Sequence, residues 1–314
     1  MDITVVICTH NRAKLLGTML DVLSRATFPA GSAIDILVVA NACRDDTDQV
    51  LGRYTQVFGR LAGPGFRWLI EPVAGKSVAL NLAVKESRGN TLCFIDDDQY
   101  VDADFFPQLV SALSTYPEYE IFCGSMVPDW DGSEPSWVHE TGQFHIGIRP
   151  FPEYDLGNVL CEVTHDMKLP SGGNITVKRS VFERAGGFST DLGPQGHNLM
   201  GGEDIEFVKR AMQTGARILY VPSIRQKHAV EAERMATLYM MRKSYLRSLS
   251  NVKMSENSPR SLRPYMLLKL GQYALLAVFS LRGYKRFYFM IRLAAVFGEM
   301  RAALSCWCDD HRIC

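Results

Sequence analysis

The sequence predicts an α/β fold: a mostly parallel central sheet flanked by helices, followed by a C-terminal helical extension. Three observations predict it. Short β-branched runs alternate with helix-length amphipathic segments through the first part of the chain, the rhythm of βαβ units. Polar clusters follow the apolar runs where an open parallel sheet binds ligands, outside the carboxyl ends of its strands. Charge is also divided: 34 Lys and Arg balance 34 Asp and Glu over 314 residues, yet residues 1–228 hold 20 basic and 28 acidic side chains whereas 229–314 hold 14 and 6. A zero net charge with 47% apolar residues excludes a disordered chain and one that coats nucleic acid. The length admits two domains, placed at 1–229 and 230–314.

The elements follow in order. Strands are expected at 3–8, 34–39, 66–70 and 91–95, with helices at 12–25, 46–58, 75–87 and 104–115. The polar residues after those strands are Thr9-His10-Asn11-Arg12, Asn41 to Asp46, Glu71 and Asp96-Asp97-Asp98. The stretch 124–173, rich in Gly, Pro and Trp, reads as irregular structure over a site. Helix 179–185, a Gly-rich loop at 186–202, helix 203–214, strand 217–221 and His228 complete the first domain. From 231 the pattern is helical, with a polar break at 250–264 that separates two pieces. The longest uncharged apolar run there, 270–281, is 12 residues, against ~20 needed to span a bilayer. The eight cysteines sit mostly singly in apolar runs, as small hydrophobes of a reducing compartment. With no basic, apolar, small-residue leader ahead of Ile3, the expected location is cytoplasmic.

Four chemistry-bearing features stand out. Asp96, Asp97 and Asp98 repel one another unless a cation neutralises them, and hard oxygen ligands favour Mg²⁺ or Mn²⁺ with positions left open for phosphates; the alternative is a solvated acidic turn. Glu203-Asp204 opens a helix after Gly201-Gly202, either as a favourable start to the helix dipole or with one of the two as a general base beside the metal. The double glycines, in Ser171-Gly172-Gly173-Asn174 and Gly186-Gly187, ask for close backbone approach by substrate or by a packed element. His228 is a candidate third metal or phosphate contact, against the plain alternative of a hydrogen-bonded histidine.

Taken in order, these motifs resemble family 2 glycosyltransferases of the Rossmann-like GT-A fold. The resemblance covers about residues 1–250 and rests on Val5-Val6-Ile7-Cys8-Thr9-His10-Asn11-Arg12, Ile36-Leu37-Val38-Val39 leading to Asp45-Asp46-Thr47, Gly75-Lys76-Ser77 with Asn81, Ile95-Asp96-Asp97-Asp98, Gly172-Gly173-Asn174, Gly186-Gly187-Phe188, Gly202-Glu203-Asp204 and His228. It implies an inverting transfer from a nucleotide-diphosphate sugar, a UDP-sugar first among donors, to a hydroxyl on a saccharide or lipid-linked acceptor of the cell envelope. Asp96 and Asp98 match the family's Asp-x-Asp, whose carboxylates and metal hold the diphosphate, with Asp97 the permissive middle residue on the donor side. Asp204 matches the catalytic base, with Glu203 beside it. Thr9, Asn11 and Arg12 would lie against the nucleoside, Lys76 at ribose or phosphate, Gly173 and Asn174 along the donor. Where many relatives have Asp after the Val-Val strand this chain has Ala40 and Asn41, which moves base recognition to Asn41 or Asp45.

Two other classes remain in view: a sugar nucleotidyltransferase, which expects a Gly-rich loop after the first strand that is missing here, and a catalytically silent carbohydrate-binding scaffold, against which Asp96, Asp98 and Asp204 argue. In the tail, 13 Lys or Arg between Arg234 and Arg301 face only Glu256 and Glu299. Interleaved with Tyr, Phe and Leu, they suit a peripheral contact of 231–301 with an anionic membrane at its cytoplasmic face; the alternative is a cover for the sheet with basic faces in water. Cys306, Cys308, His311 and Cys314 are zinc-ligand types in no common two-plus-two spacing.

Overall fold

The computed structural model describes residues 2–61, 63–191, 202–254 and 261–310. It forms two compact units, Met1–Asp129 with Pro152–Ala229, and Trp130–Phe151 with Val230–Cys314. The first unit is a sheet of nine strands in the order β3-β2-β1-β4-β8-β6-β9-β5, with β7 also on β9. Strands β1 (Asp2–Thr9), β2 (Ala33–Asn41), β3 (Gly65–Glu71) and β4 (Thr91–Phe94) pair in parallel. Helices α1 (Ala13–Leu23), α2 (Thr47–Phe58) and α3 (Lys76–Glu86) connect them. This is the βαβ half legible in the apolar runs, because strands buried on both faces read as continuous hydrophobic segments.

The second half of the sheet is mixed. Strand β8 (Ile175–Lys178) runs antiparallel to β4 and to β6 (Ile121–Pro128), and β6 runs parallel to β9 (Ile218–His228). β5 (Gln99–Val101) and β7 (Cys161–Val163) are short antiparallel partners of β9. Helix α4 (Phe105–Thr115) follows β5, and α5 (Arg179–Ala185) and α6 (Glu203–Gln213) lie between β8 and β9. Aliphatic and aromatic side chains fill both faces of the sheet, with Ile7, Leu16 and Phe106 on one and Val39, Val177 and Phe207 on the other. Burial lifts the thiols of Cys93 and Cys123 far above the usual cysteine range, as for small core hydrophobes.

Strand β9 runs to His228, seven residues past the expected end at 221. Its last residues alternate buried and exposed, but the buried ones include Gln226 and His228, so a strand pattern exists without a hydrophobic pattern to reveal it. Arg179 clamps the turn between α3 and β4: it donates to the carbonyls of Val84, Ser87 and Gly89 and to the Ser87 hydroxyl.

The second unit holds α7 (Thr237–Met254), α8 (Pro264–Phe279) and α9 (Gly283–Asp310), three helices where two were expected, because the chain breaks again between Ser280 and Arg282. Met240, Phe287, Ile291 and Ile146 form its small core, with Trp137 against Phe287. A Cβ on Gly298 would strike the Tyr245 carbonyl, so glycine sets the close approach of α9 to α7. Residues 130–151, expected as loops over a site, belong to this helical unit. Among the described residues no helix is long and apolar enough to cross a membrane. Gly201, most of the loop 186–202, and the side chains of Cys306, Cys308, His311 and Cys314 lie outside the described residues.

Candidate active site

The site forms at the carboxyl ends of β1, β2 and β4, where three loops and the start of α6 meet. The turn after β4 separates its three carboxylates. Asp96 Oδ1 lies 2.9 Å from Lys76 Nζ. Asp97, expected to be permissive, is buried instead: it accepts from Thr9 Oγ1 at 2.7 Å and from Arg12 Nη1 at 2.6 Å. Burial raises its pKa, against the pull of Arg12 and with the push of Asp98. Asp98 accepts from Arg12 Nη2 at 2.8 Å, and its other oxygen stands 3.4 Å from His228 Nε2.

The histidine is oriented by its other nitrogen. His228 Nδ1 is 2.8 Å from the Ala229 carbonyl, which can only accept, so Nδ1 donates to it and Nε2 faces Asp98 Oδ1. Five carboxyl groups (Asp96, Asp97, Asp98, Glu203, Asp204) gather here around two fixed cations, Arg12 and Lys76, an excess of negative charge that a divalent cation would offset. A carboxylate oxygen beside an imidazole nitrogen fits Mn²⁺ better than Mg²⁺, which takes oxygen ligands. Among the described residues no three His, Cys, Asp or Glu side chains converge as a metal cage. Asp98 and His228 are the residues that would hold a cation, whereas Asp96, the other expected ligand, is engaged by Lys76.

Lys76, the first residue of α3, joins the two acidic groups. Its ammonium is 2.9 Å from Asp96 and 3.8 Å from Glu203. Burial favours the neutral amine, but Asp96, Glu203 and Asp204 outweigh it and raise the pKa, so the lysine stays charged. Glu203 is buried and its Oε2 has no hydrogen-bond partner. Burial, only partly offset by Lys76, raises its pKa. Asp204 is held differently: Oδ2 accepts from the Gly172 amide at 2.7 Å and Oδ1 from the Ile205 amide at 2.8 Å.

Between these groups passes the backbone of Gly172 and Gly173. A Cβ on Gly173 would stand 2.5 Å from Asp96 Oδ2, and one on Gly172 3.1 Å from Asp204 Cβ. The double glycine thus threads a peptide between Asp96 and Asp204, the close approach its sequence asked for.

Several expected donor contacts are engaged within the protein. Asn41 Oδ1 accepts from the Gly75 amide at 2.8 Å, and its Nδ2 donates to the carbonyls of Val73 and Glu71, bracing the loop that presents Lys76. Asn174 makes a two-way bond with the Gly124 backbone and receives Gln226. Asn11, at φ 53°, accepts from the Arg44 amide, and Asp45 accepts from the Ala13 amide and the Thr47 hydroxyl. Those hydrogen bonds outweigh the effect of burial and lower the Asp45 pKa. These residues shape the loops around the site.

Three residues of the site were given no role by the sequence. Gln99 accepts from the Asp96 amide at 3.0 Å, Gln226 donates to the Gly173 carbonyl at 2.8 Å, and His10 Nδ1 donates to the Asn41 carbonyl at 2.6 Å. Gln99 adjoins a motif that was noticed and His10 lies within one; Gln226 had no signal beyond its place two residues before His228.

Comparison with known proteins adds the context. Residues 4–186 match the family model described as glycosyl transferase family 2. A glucosyl-dolichyl phosphate glucuronosyltransferase of Haloferax volcanii is 24% identical over 73% of this chain and 69% of its own length; glycosyltransferase AglE of the same organism is 23% identical over 71% and 65%. Among solved structures, mannosyltransferase PcManGT from Pyrobaculum calidifontis, in complex with GDP-Man and Mn²⁺, superposes with a TM-score of 0.57 at 18% identity over 96% of this chain and 87% of that one. S. aureus TarS 1–349 in complex with UDP gives 0.55 at 16% over 96% and 91%. The chain spans about two thirds of the archaeal relatives' length and 55% of a longer TarS chain.

Proposed function

Because the chain belongs to glycosyl transferase family 2, we propose that it moves a sugar from a nucleotide-diphosphate donor, a UDP-sugar first among candidates, to an acceptor hydroxyl with inversion at the anomeric carbon. The observation that carries this reading is the arrangement around Gly172 and Gly173: Asp204 on one side of the glycine backbone, Asp96 on the other, and Lys76 joining Asp96 to Glu203. Asp204 is the general base that takes the acceptor proton as the hydroxyl oxygen attacks. Glu203 beside it holds Lys76 toward the donor. Asp98 and His228, with Asp96 nearby, would hold Mn²⁺ or Mg²⁺, which would supply charge stabilisation for the departing diphosphate. Thr9 and Arg12 hold Asp97 and Asp98 in place at the donor. Asn11, Asn41, Asp45, Gly173 and Asn174 act through the loops they shape, and base recognition falls to those loops.

The acceptor is a saccharide, free or carried on a lipid, in cell-envelope or glycolipid synthesis. The name of the archaeal glucuronosyltransferase, which describes a lipid-phosphate-linked acceptor, supports the lipid-linked choice. The unit of 1–129 with 152–229 is the catalytic part and that of 130–151 with 230–314 the extension, with a peripheral contact at the cytoplasmic face of a membrane through 231–301. Release of nucleoside diphosphate from UDP-, GDP- and dTDP-sugars, with and without Mn²⁺, tests the donor and the metal. Proton NMR of the product's anomeric configuration tests inversion, and a retained configuration would overturn the single-displacement mechanism.

A further inference from the structure

Helix α8 is built inside out. At 100° per residue, Leu267, Leu268, Leu275, Val278 and Phe279 fall on one arc of about 120°, and that arc faces water: each of the five is between 54% and 74% exposed. The opposite face carries Met266 and Ala277, both buried, and Tyr273, which accepts from Arg292 of α9. The turn beyond the helix adds Leu281, fully exposed. No charged residue interrupts the outward arc between Pro264 and Arg282. A helix packed on one side only ordinarily turns polar residues to solvent, so a continuous apolar arc marks a contact surface.

The rim identifies the occupant. Arg263 and Arg282 bracket the arc, Arg286 follows, and Lys269 lies at its flank over Tyr265. From 257 to 298 there are seven Lys or Arg and no Asp or Glu. A second copy of the chain would bring two identical basic rims together across a symmetric contact, which like charges oppose. An anionic bilayer meets the same rim with the opposite sign. The 16 residues of α8 reach about 24 Å, short of the ~30 Å hydrocarbon core, so the helix suits a position in the plane of the interface.

We propose that the outward arc of α8, Leu267 to Phe279, seats among the acyl chains of an anionic bilayer while Arg263, Arg282 and Arg286 reach back to the headgroups. This rests on, and sharpens, the membrane contact of 231–301: the anchor is one apolar helix face, and the basic charge of the tail assists it.

The test is co-sedimentation of the full chain with vesicles of phosphatidylcholine alone and of phosphatidylcholine with 30 mol % phosphatidylglycerol, about a third anionic lipid as a charge probe. The paired variant Leu268→Asp/Val278→Asp alters only exposed positions, and its fold is checked by circular dichroism and by unchanged donor hydrolysis without vesicles. The expected result is tenfold or stronger partition of the wild type onto anionic vesicles and at least a tenfold loss in the variant. Equal binding of the two proteins would place the membrane contact elsewhere in the tail and overturn the α8 assignment. No binding of the wild type would overturn the membrane reading as well. A wild-type dimer that the same substitutions dissolve would make the arc a self-contact. Vesicle binding requires no donor, so a protein that binds as expected but transfers no sugar would leave this surface standing and remove the transferase reading.

Discussion

Replacing Lys76 with methionine keeps the length of the side chain and removes the one charge that serves both Asp96 and Glu203. Asp96 is about one-third exposed and recovers water, but Glu203 is 3% exposed and does not. At 3.8 Å an effective dielectric of 20 gives roughly 4 kcal/mol of attraction lost at Glu203. Protonation limits the damage: neutralising an ordinary glutamate costs about 4 kcal/mol at pH 7.5 and about 2 at pH 5.5. Lys76→Met should therefore destabilise the protein by about 3–4 kcal/mol at pH 7.5 and about half that at pH 5.5. The sign follows from linkage: with its folded pKa raised, Glu203 binds more protons folded than unfolded, so stability falls as pH rises above the unfolded glutamate value. Glu203→Gln in the Lys76→Met background removes the stranded charge and should restore most of the loss. Urea denaturation of the wild type, Lys76→Met, Glu203→Gln and the double variant at both pH values measures this cycle. If the single and double variants unfolded alike, or the loss were the same at both pH values, Glu203 would not depend on Lys76 and the ion-pair account of the site would be wrong.

The other outcomes concern donor and metal. Asp204→Asn should keep donor affinity within a few-fold and lower turnover by ~10² or more; near wild-type turnover would pass the role of base to Glu203. Asp98→Ala and His228→Ala should abolish the Mn²⁺ dependence of donor binding in calorimetry, and Asp96→Ala should weaken donor binding less; unchanged affinities in all three would move the cation elsewhere. Gly173→Ala, with its new methyl against Asp96 and Gln99, should cost about 1–3 kcal/mol of stability and raise the donor KM. Wild-type values would show that the loop shifts freely.

The parts of the fold that sequence displayed are those where burial and hydrophobicity coincide. Strands β1 to β4 and helices α1 to α6 were legible because their inward residues are mostly apolar, whereas β5 to β8 were not read as strands, β6 and β7 falling partly or wholly in the stretch 124–173 taken as irregular. β9 was read short because its buried terminal residues include Gln226 and His228, whose polarity serves the site and hides the strand. For the same reason motif reading found the site but not its division of labour. Asp96, Lys76, Glu203 and Asp204 were recognised and do converge. Asn41 and Asn174 were read as ligand contacts because they are polar residues beside strand ends, yet backbone groups left unpaired by the turns at Glu71–Gly75 and Gly124 claim their amides. Asp97 was read as permissive because sequence cannot show that Thr9 and Arg12 converge on it from another strand. The outward apolar face of α8 was also hidden, since periodicity reveals a stripe but not which way it turns.

The Arg179 clamp has a consequence for how this protein tolerates insertions and deletions. Helix α3 runs away from the site from Lys76, the clamped turn reverses the chain, and β4 returns it to Asp96. The outbound path is 11 helical residues, about 16 Å, and the return from Thr91 through Ile95 covers the same distance, roughly 16 Å at 3.3 Å per residue. The two arms are thus cut to equal length from a fixed pivot. Deleting one residue from the return arm would withdraw the carboxylate by roughly 3.3 Å and reverse the face on which it emerges, more than the 2.9 Å contact with the ammonium can absorb. A library of length variants should therefore find residues 76–98 almost closed to change, while loops outside that hairpin-like path accept it.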